Sequence, residues 1–493
     1  MASFKDLCVW FITGSQHLYG PEVLQQVARN SREIVNHLNE TAKLPVPIVF
    51  KPVVKTHEEI HTTCLEVNAD KKCIGIITWM HTFSPAKMWI SGLTILSKPL
   101  LHLHTQFNRD IPWEQIDMDF MNLNQSAHGD REFGFICTRM RLNRKVIVGY
   151  WQDPKVHAQM GTWMRAAAAH HESQGLRICR FGDNMRDVAV TEGDKVEAQQ
   201  VLGWQVRYHG LGELITSMQS VSDRDIDHLF EEYQAKYNVN TSDQNSIRYQ
   251  ARIELGLRQF LDANNYSAFT TNFEDLTGLE QLPGLASQRL MELGYGFGAE
   301  GDWKQSALVR LMKVMGQGLE GGCSFMEDYT YHLDPQQAAV LSAHMLEICP
   351  SIADNTPNLE VHPLGIGGKD APARLVFDVK PGTGINVTLV DMGGRMRMIV
   401  NPVQVIKSKP MPNLPVARAL WIPEPNLEIS ATAWILAGGA HHTSFSMALD
   451  VPYLENFAEM MGLEIIIIDE KTNILDVKKE LRFNDMYYSN LKR

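Results

Sequence analysis

The chain has 493 residues, and because a single hydrophobic core stops growing at about 250–300 residues, two or three domains are expected. Hydrophobic residues make up 44 % and charged residues 21 %, a composition typical of globular proteins that excludes the disordered and fibrous classes. The net charge of −11 disfavours nucleic acid and anionic membranes as partners. We therefore expect a small partner that is not strongly anionic.

The cysteines and the N-terminus indicate the compartment. Seven cysteines are widely scattered, with no Cys-x-x-Cys pair, as expected of free thiols in a reducing cytoplasm. The N-terminal segment lacks a basic region followed by an apolar core, and the longest aliphatic run, near 465–468, is far too short to span a bilayer. We expect a cytoplasmic protein that is neither exported by a standard signal nor embedded in a membrane.

Up to about residue 170, short apolar runs alternate with longer amphipathic stretches, which is the pattern of a parallel sheet with crossover helices. Buried strands are predicted over Cys8 to Thr13, Cys73 to Met80 and Val146 to Tyr150. Each is followed by a polar or glycine-containing loop. Because ligands bind at the carboxyl ends of strands in open α/β sheets, these loops are candidates for a binding site.

A second α/β block is predicted from about 177 to 325. It begins with the strand Arg177 to Phe181 and continues with the strand Ala268 to Phe273. Asp302 has the sequence context of a capping box, so Glu300 is expected in a glycine-flanked loop just before a helix.

After about residue 355 the pattern changes to strands. The segments Ile385 to Asp391 and Arg395 to Val400 alternate apolar and polar residues around a Gly-Gly pair, which predicts a hairpin. The predicted fold class is therefore α/β, with two doubly wound, Rossmann-like parallel-sheet domains followed by a mostly antiparallel β-rich C-terminal domain. The predicted domain boundaries are 1–172, 173–325 and 326–493.

Two carboxylates stand in unusual settings. Glu300 lies in its glycine-flanked loop at the positive end of a helix dipole, and Glu327 lies in an aromatic-rich stretch where a carboxylate would be partly desolvated. A buried carboxylate is costly unless it is paired with a cation or a metal. The alternative interpretation is a solvated loop acid for Glu300 and an exposed acid between inward-packed aromatic residues for Glu327.

Histidines offer a second type of ligand. His344 falls among apolar residues in the run Pro335 to Ile348, which is predicted to be helical, and a hydrogen-bonded core histidine is the alternative. His441 and His442 follow Ala433 to Ala440, which is predicted as a strand broken by small residues. Adjacent residues in extended backbone point to opposite sides, so at most one of the two is expected to reach a common centre.

The four groups, Glu300, Glu327, His344 and His442, are too far apart in sequence to form a local metal motif. If they converge, they make a site of intermediate hardness suited to Mn²⁺, Fe²⁺ or Co²⁺. The Gly-x-Gly-x-x-Gly pattern at 296–301 is not interpreted as a dinucleotide site, because a helix rather than a strand is predicted before it.

The chain resembles the bacterial L-arabinose isomerases in segments that run in family order over essentially its whole length. The segments that carry the resemblance are Thr13 to Gly20, Gly296 to Lys304, Ser324 to His332, His344 to Glu347, His362 to Asp370 and Ala437 to Thr443. The resemblance implies an aldose–ketose isomerase that converts L-arabinose to L-ribulose in L-arabinose catabolism, and that often accepts D-galactose, giving D-tagatose. It also implies a divalent metal, usually Mn²⁺, with Co²⁺ as a substitute.

The resemblance further implies the roles of individual residues. The metal ligands would be Glu300, Glu327, His344 and His442, with both glutamates catalytic. The substrate contacts would be Gln16, Leu18, Phe83, Gln125, His128, Met185 and Phe273. The implied assembly is a homohexamer of two trimers in which neighbouring subunits share sites.

Several alternatives stay open at this point. The mechanism is expected to pass through a cis-enediol, with a metal-assisted hydride shift as the competing path, and neither glutamate is singled out as the base. An isomerase for another neutral sugar, such as fucose, would use the same ligand set. A non-catalytic sugar-binding protein and a metal-assisted hydrolase are the alternatives from other classes.

Overall fold

The computed structural model describes residues 4–490, which divide into two compact units. One unit contains the chain up to His171 together with Glu455–Gly462, and the other contains Glu172–Leu454 together with the chain from Leu463. The predicted domain boundaries at 172/173 and 325/326 stay a prediction.

The first unit is built on a parallel sheet of five strands. The strands are β1 (Cys8–Gly14), β2 (Ile48–Phe50), β3 (Cys73–Met80), β4 (Leu100–His104) and β5 (Lys145–Val148). The helices are α1 (Gly20–Thr41), α2 (His57–Ala69), α3 (Ile90–Ile95), α4 (Met118–Leu123), α5 (Ser126–Arg139) and α6 (Pro154–Ser173). The strand order is β2-β1-β3-β4-β5. The direction of winding therefore reverses between β1 and β3, the place where open α/β sheets bind ligands.

The strands predicted at β1 and β3 are confirmed, and both are buried along most of their length. The prediction of a buried strand over Val146 to Tyr150 is wrong in one respect. The strand is present as β5, but Val146 is 44 % exposed and Val148 is 66 % exposed. The physical reason is that β5 forms the edge of the sheet, and only one face of this strand is packed.

The second unit begins with another parallel sheet. The strands in this part of the chain are β6 (Arg177–Phe181), β7 (Gln205–His209), β8 (Asn238–Val239), β9 (Ala268–Thr271) and β10 (Gly296–Ala299). Of these, β8 belongs to a separate three-stranded sheet. The helices are α7 (Lys195–Leu202), α8 (Leu211–Gln219), α9 (Asp223–Lys236), α10 (Gln244–Ala263), α11 (Gly284–Glu292) and α12 (Trp303–Met315). The order of the parallel sheet is β10-β9-β6-β7, so its winding reverses between β6 and β9.

Helix α12 connects this sheet to the rest of the second unit. Every residue of α12 is buried, including Lys304 and Gln305. The helix contacts β10 of this sheet and also β15 (Gly382–Asp391) and β18 (His442–Ser446). A helix enclosed on all sides is a rigid support for the loop that precedes it, which contains Glu300.

A closed antiparallel barrel follows. The remaining strands are β11 (Cys323–His332), β12 (Ala339–Ala343), β13 (Asn358–Val361), β14 (Ala373–Val376), β15, β16 (Met396–Ile406), β17 (Arg418–Pro423), β18 and β19 (Glu464–Ile467). The remaining helices are α13 (Leu427–Leu436), α14 (Val451–Met461) and α15 (Ile474–Asn490). Six strands close the barrel in the order β15-β18-β11-β12-β17-β16, because β16 pairs back with β15. The predicted fold class is confirmed, and the hairpin predicted around the Gly-Gly pair is the β15–β16 pair.

Two local predictions in the barrel region are wrong. The run Pro335 to Ile348 is not a helix, since it contains β12, which pairs with β11 on one side and β17 on the other. The segment Ala433 to Ala440 is not a strand, since α13 occupies much of it and is capped by Asn426, whose side chain accepts from the Ile429 N–H. Short apolar runs fit either structure, and here strand pairing and a helix cap decide.

Across residues 4–490, the helices include none that is long and apolar enough to cross a bilayer. All seven cysteines are free thiols, as their spacing indicated.

Candidate functional site

Glu300 stands immediately after β10, at the carboxyl end of the second parallel sheet. Its backbone is left-handed, with φ of 60°. The backbone packs closely at two nearby glycines: a Cβ on Gly298 would lie 2.4 Å from the carbonyl oxygen of Asp302, and a Cβ on Gly301 would lie 2.6 Å from Cα of Asn184. The glycine pattern at 296–301 therefore permits close backbone packing that places Glu300 at the sheet edge.

The barrel register brings the other three predicted ligands together. Glu327 of β11 pairs directly with His442, the first residue of β18, and on its other side with Ala343 of β12. His344 follows Ala343 in the chain. Two neighbouring strands therefore place one histidine on each side of Glu327, although the three residues are far apart in sequence.

The ligand atoms form two groups that share His442, one with Glu300 and His344 and the other with Glu327 and His441. The Nε2 atom of His344 lies 3.7 Å from Oε2 of Glu327, and Nε2 of His442 lies 3.6 Å from Oε2 of Glu300. One ligand atom from each of Glu300, His344 and His442 falls within 4.8 Å of the others. The side chain of Glu300 is 13 % exposed and that of Glu327 is 20 % exposed, whereas both histidines are buried. The carboxylates are therefore accessible to a ligand, and the imidazoles lie deeper in the site.

Each imidazole is oriented by a carboxylate on its other nitrogen. His344 Nδ1 lies 2.5 Å from Oε2 of Glu347, and His442 Nδ1 lies 3.2 Å from Oδ2 of Asp302. Because an ionised carboxylate only accepts, both Nδ1 atoms donate, which leaves a lone pair on each Nε2.

Those two Nε2 atoms are the clearest sign of a metal centre. Both are buried, and both lack a hydrogen-bond partner among the residues that the structure describes. Buried polar atoms without partners are rare in proteins, and a carboxylate–histidine pair with a free Nε2 is the usual arrangement behind a divalent cation. The donor set of two imidazoles and two carboxylates fits such an ion.

The charges around the histidines are mainly negative, and they change the pKa values of two groups at this site. Burial raises the pKa of Asp302, but the nearby Lys304 ammonium and the hydrogen bond from His442 outweigh it, so the pKa is lowered overall. Burial lowers the pKa of His344, but the Glu347 carboxylate outweighs it and the pKa is raised overall. The site therefore has an excess of negative charge that a cation would balance.

The expectation that only one of the adjacent histidines could reach a common centre is wrong. Ligand atoms of Glu327, His441 and His442 also lie within 4.8 Å of one another, and His441 Nε2 is 4.0 Å from Oε1 of Glu327. His441 lies in a bend after Gly438 and Gly439, just before β18 begins, so the alternation of an extended strand does not apply to it. The His-His pair was the sequence signal for this residue.

Two of the predicted substrate contacts lie in the same unit. The Met185 N–H, in the loop after β6, donates to the Glu300 carbonyl oxygen at 3.0 Å. Phe273 follows β9 and lines a small cavity together with Glu300 and His344. Met185 and Phe273 thus follow the two strands between which the winding reverses.

The other five predicted contacts belong to the first unit, around the carboxyl ends of β1 and β3. Gln16 follows β1, and Leu18 beside it is 82 % exposed. Phe83 follows β3, and its ring stacks on His128 with centroids 4.6 Å apart. Gln125 accepts a hydrogen bond from the Tyr19 hydroxyl at 3.4 Å. These five residues lie near the switch point of the first sheet, where open α/β sheets bind ligands, and their role as substrate contacts stays a prediction.

Sequence reasoning missed the supporting carboxylates. The sequence predicts Asp302 only as a helix cap. Its side chain does accept from the Gln305 N–H at 3.3 Å, and its second oxygen accepts from His442. Glu347 stands three residues after His344, and this spacing was the available signal.

Comparison with known proteins assigns the family. Three family models match in succession: the L-arabinose isomerase N-terminal domain over residues 3–175, the central domain over 177–318 and the C-terminal domain over 322–464. The chain is 60 % identical over 495 residues to an L-arabinose isomerase of Herpetosiphon aurantiacus, with 99 % of each chain covered. It is 58 % identical to that of Geobacillus thermodenitrificans over 495 residues and 56 % identical to that of Yersinia pseudotuberculosis serotype O:1b over 496 residues, again with 99 % of each chain covered.

The site and these matches place the protein among the aldose–ketose isomerases, which are intramolecular oxidoreductases. The chain belongs to the L-arabinose isomerase family.

Proposed function

We propose that this protein interconverts L-arabinose and L-ribulose in L-arabinose catabolism, and that it also converts D-galactose to D-tagatose. The observation that carries the proposal is that Glu300 lies with two buried imidazoles, those of His344 and His442, whose Nε2 atoms lack hydrogen-bond partners among residues 4–490. Glu327 lies 3.7 Å from the first of these imidazoles. Family membership supplies the substrate class. The seven free cysteines support a reducing, cytoplasmic setting.

A divalent cation, Mn²⁺ with Co²⁺ as a substitute, would be held by Glu300, Glu327, His344 and His442. When bound, it would stabilise the negative charge that develops on the two substrate oxygens. Glu347 and Asp302 fix the tautomers of the two histidines. Two carboxylates and two imidazoles suit a divalent metal of intermediate hardness. Measurement of activity with each ion decides between Mn²⁺ and Co²⁺.

Proton transfer is assigned to the two glutamates. Conversion of an aldose to a ketose moves a proton from C2 to C1 and a second proton between the hydroxyl and carbonyl oxygens. Glu300 and Glu327 are partly exposed on the same site, so one carboxylate can take the C2 proton while the other moves the hydroxyl proton. Each glutamate would use the oxygen that is not engaged by a cation, because a coordinated carboxylate oxygen is a weaker base.

The proposed sugar contacts are polar and apolar side chains. Gln16, Gln125 and His128 offer donors and acceptors that suit hydroxyl groups, and Leu18, Phe83, Met185 and Phe273 offer apolar surface. We propose a homohexamer of two trimers whose neighbouring subunits share sites, an assembly that the resemblance to the family supports. The mass of the native particle in solution, measured by light scattering, tests it.

The activity is tested by treating the purified protein with a chelator, restoring Mn²⁺ or Co²⁺, and measuring ketose formation from L-arabinose, D-galactose and L-fucose. We expect turnover of L-arabinose only with metal, and less turnover of D-galactose. Absence of ketose with metal restored would contradict the proposal, and preference for L-fucose would reassign the substrate.

The glutamates are tested by Glu300→Gln and Glu327→Gln, each expected to lower kcat by at least about a hundredfold, the usual contribution of a general acid or base. Glu213→Gln is the matched control, because Glu213 also binds a histidine, His209 at 3.0 Å, on a different part of the second unit. Solvent deuterium at C1 of the ketose is expected from the enediol path, and its absence would favour a hydride shift.

A further inference from the structure

A cavity of about 210 Å³ lies in the first unit, at the amino ends of β4 and β5. Lys98 and Arg144, which precede these two strands, line it, together with Asn456 and Glu459. The sugar contacts proposed above surround the carboxyl ends of β1 and β3. The cavity therefore opens at the opposite edge of the sheet, and the proposed isomerisation does not use it.

The lining is cationic in a chain whose net charge is −11. Three cations, Lys98, Arg144 and Lys145, face the cavity with one carboxylate, Glu459. Glu459 interacts electrostatically with Lys145 and Arg144, so three cations share one carboxylate. Because the half-buried cations outnumber the carboxylate, the lining has an excess of positive charge that attracts an anion.

Two of the cations are held in place by backbone carbonyl oxygens. Lys98 Nζ donates to the carbonyl of Cys73 at 2.8 Å and to that of Asp70 at 3.4 Å, which leaves one of its three N–H groups. Arg144 Nη2 donates to the Gly134 carbonyl at 3.1 Å, while its Nε is buried without a hydrogen-bond partner among the described residues. The donors are thus fixed before any ligand arrives, which lowers the entropic cost of binding.

The rest of the wall suits a small anion with a polar body. His170 lines the cavity, and burial, with the charges of His171 and Lys98, lowers its pKa to about 4. At neutral pH this imidazole is uncharged and offers a ring nitrogen for a hydrogen bond. Trp163, which is 1 % exposed, supplies an apolar surface.

We propose that this cavity binds a small phosphate-bearing anion, either free phosphate or a phosphomonoester, through Lys98, Arg144 and Lys145. Three cations and one carboxylate leave a net charge of about +2 around the cavity, which matches a phosphate dianion, and arginine and lysine are the side chains that proteins use for phosphate. Glu459 is exposed at the rim and carries the opposing charge. Its electrostatic interaction with Lys145 and Arg144 means that it competes with the anion for these cations.

The test is isothermal titration calorimetry, which measures the affinity of the full-length, metal-loaded protein for inorganic phosphate and for glycerol 3-phosphate. Sodium chloride at equal ionic strength is titrated in parallel. Lys145→Gln is expected to weaken phosphate binding by at least about tenfold, the loss of one charge-assisted hydrogen bond. Glu459→Gln is expected to tighten it. Lys71→Gln, an exposed lysine of the same unit, is the matched control and should bind as the original protein does.

Each outcome decides the proposal. Saturable binding that weakens in Lys145→Gln and tightens in Glu459→Gln supports it, and the tighter of the two phosphate compounds identifies the source. Binding that both variants leave unchanged overturns it, because the phosphate would then lie elsewhere, including at the metal. An equal response to chloride, or no saturation, also overturns it. Thermal unfolding of each variant without phosphate verifies that the fold is intact.

Discussion

His442 donates from Nδ1 to Oδ2 of Asp302 across 3.2 Å, and this contact decides which ring nitrogen faces the candidate metal centre. Asp302 is itself fixed, because it caps α12 and its other oxygen lies 3.2 Å from Lys304 Nζ. Glu347 orients His344 in the same way. Both imidazoles are therefore presented through Nε2 before a cation binds, and the orientation depends on carboxylates outside the ligand set.

Glu347→Gln should weaken metal binding. The variant removes the charge that orients His344, and loss of such a partner typically lowers metal affinity by about 10–100-fold. Competition of the protein with a chromogenic chelator for Mn²⁺ measures the change without relying on activity. Glu213→Gln serves again as the control with an unrelated histidine partner. Unchanged affinity in Glu347→Gln would contradict the role assigned to Glu347.

Lys304→Met should lower the stability of the second unit. Lys304 and Asp302 are both fully buried, and Lys304 Nζ also donates to the carbonyl oxygens of Thr191 and Glu192. Removing one partner of a buried pair leaves the other charge uncompensated, which costs about 3–5 kcal/mol. Urea unfolding measures this cost. The surface pair Lys479–Asp476 provides the control, since Lys479→Met should cost less than about 1 kcal/mol.

Gly298→Ala should disturb the position of Glu300. The new Cβ would lie 2.4 Å from the Asp302 carbonyl oxygen and 2.9 Å from the Ser306 nitrogen, so β10 and the start of α12 must move apart. Forced repacking of this kind costs about 1–3 kcal/mol. We expect a lower melting temperature together with weaker Mn²⁺ binding. Gly175→Ala, where a Cβ meets nothing within 4 Å, should change neither, and an equal effect of the two variants would refute the explanation.

His81 should make the protein sensitive to acid. The side chain is fully buried, and burial lowers its pKa to about 3, whereas the unfolded chain has a histidine pKa of about 6.5. Between these values the unfolded state binds a proton that the folded state does not. The contribution of His81 to stability therefore falls by about 1.4 kcal/mol for each pH unit below about 6.5.

His81→Phe isolates this contribution, because a phenyl ring can keep the stacking on Trp79, where the ring centroids are 4.5 Å apart, and cannot titrate. The free energy of unfolding, measured in urea from neutral to mildly acid pH, should fall less steeply in the variant than in the original protein. Parallel pH profiles would show that His81 is not responsible.

Much of the fold was predictable because its signals are local. The alternation of apolar runs with amphipathic stretches predicts the parallel sheets, and the Gly-Gly pair predicts the β15–β16 hairpin. The predictions for residues 335–348 and 433–440 are wrong because local signals there do not distinguish a helix from a strand. Short apolar runs satisfy helix and strand alike, so the pairing of β12 and the cap at Asn426 decided them.

The sequence by itself determined the family resemblance, the fold class and the four residue types able to hold a cation. Only the tertiary structure decided that these residues lie close together in space. Their proximity depends on closure of the barrel, which pairs Glu327 with His442 and with the strand that ends just before His344. It depends also on the tight turn after β10, which places Glu300 near His442. Strand register and barrel closure are non-local pairings, and the periodicity of a single segment carries no information about its partner.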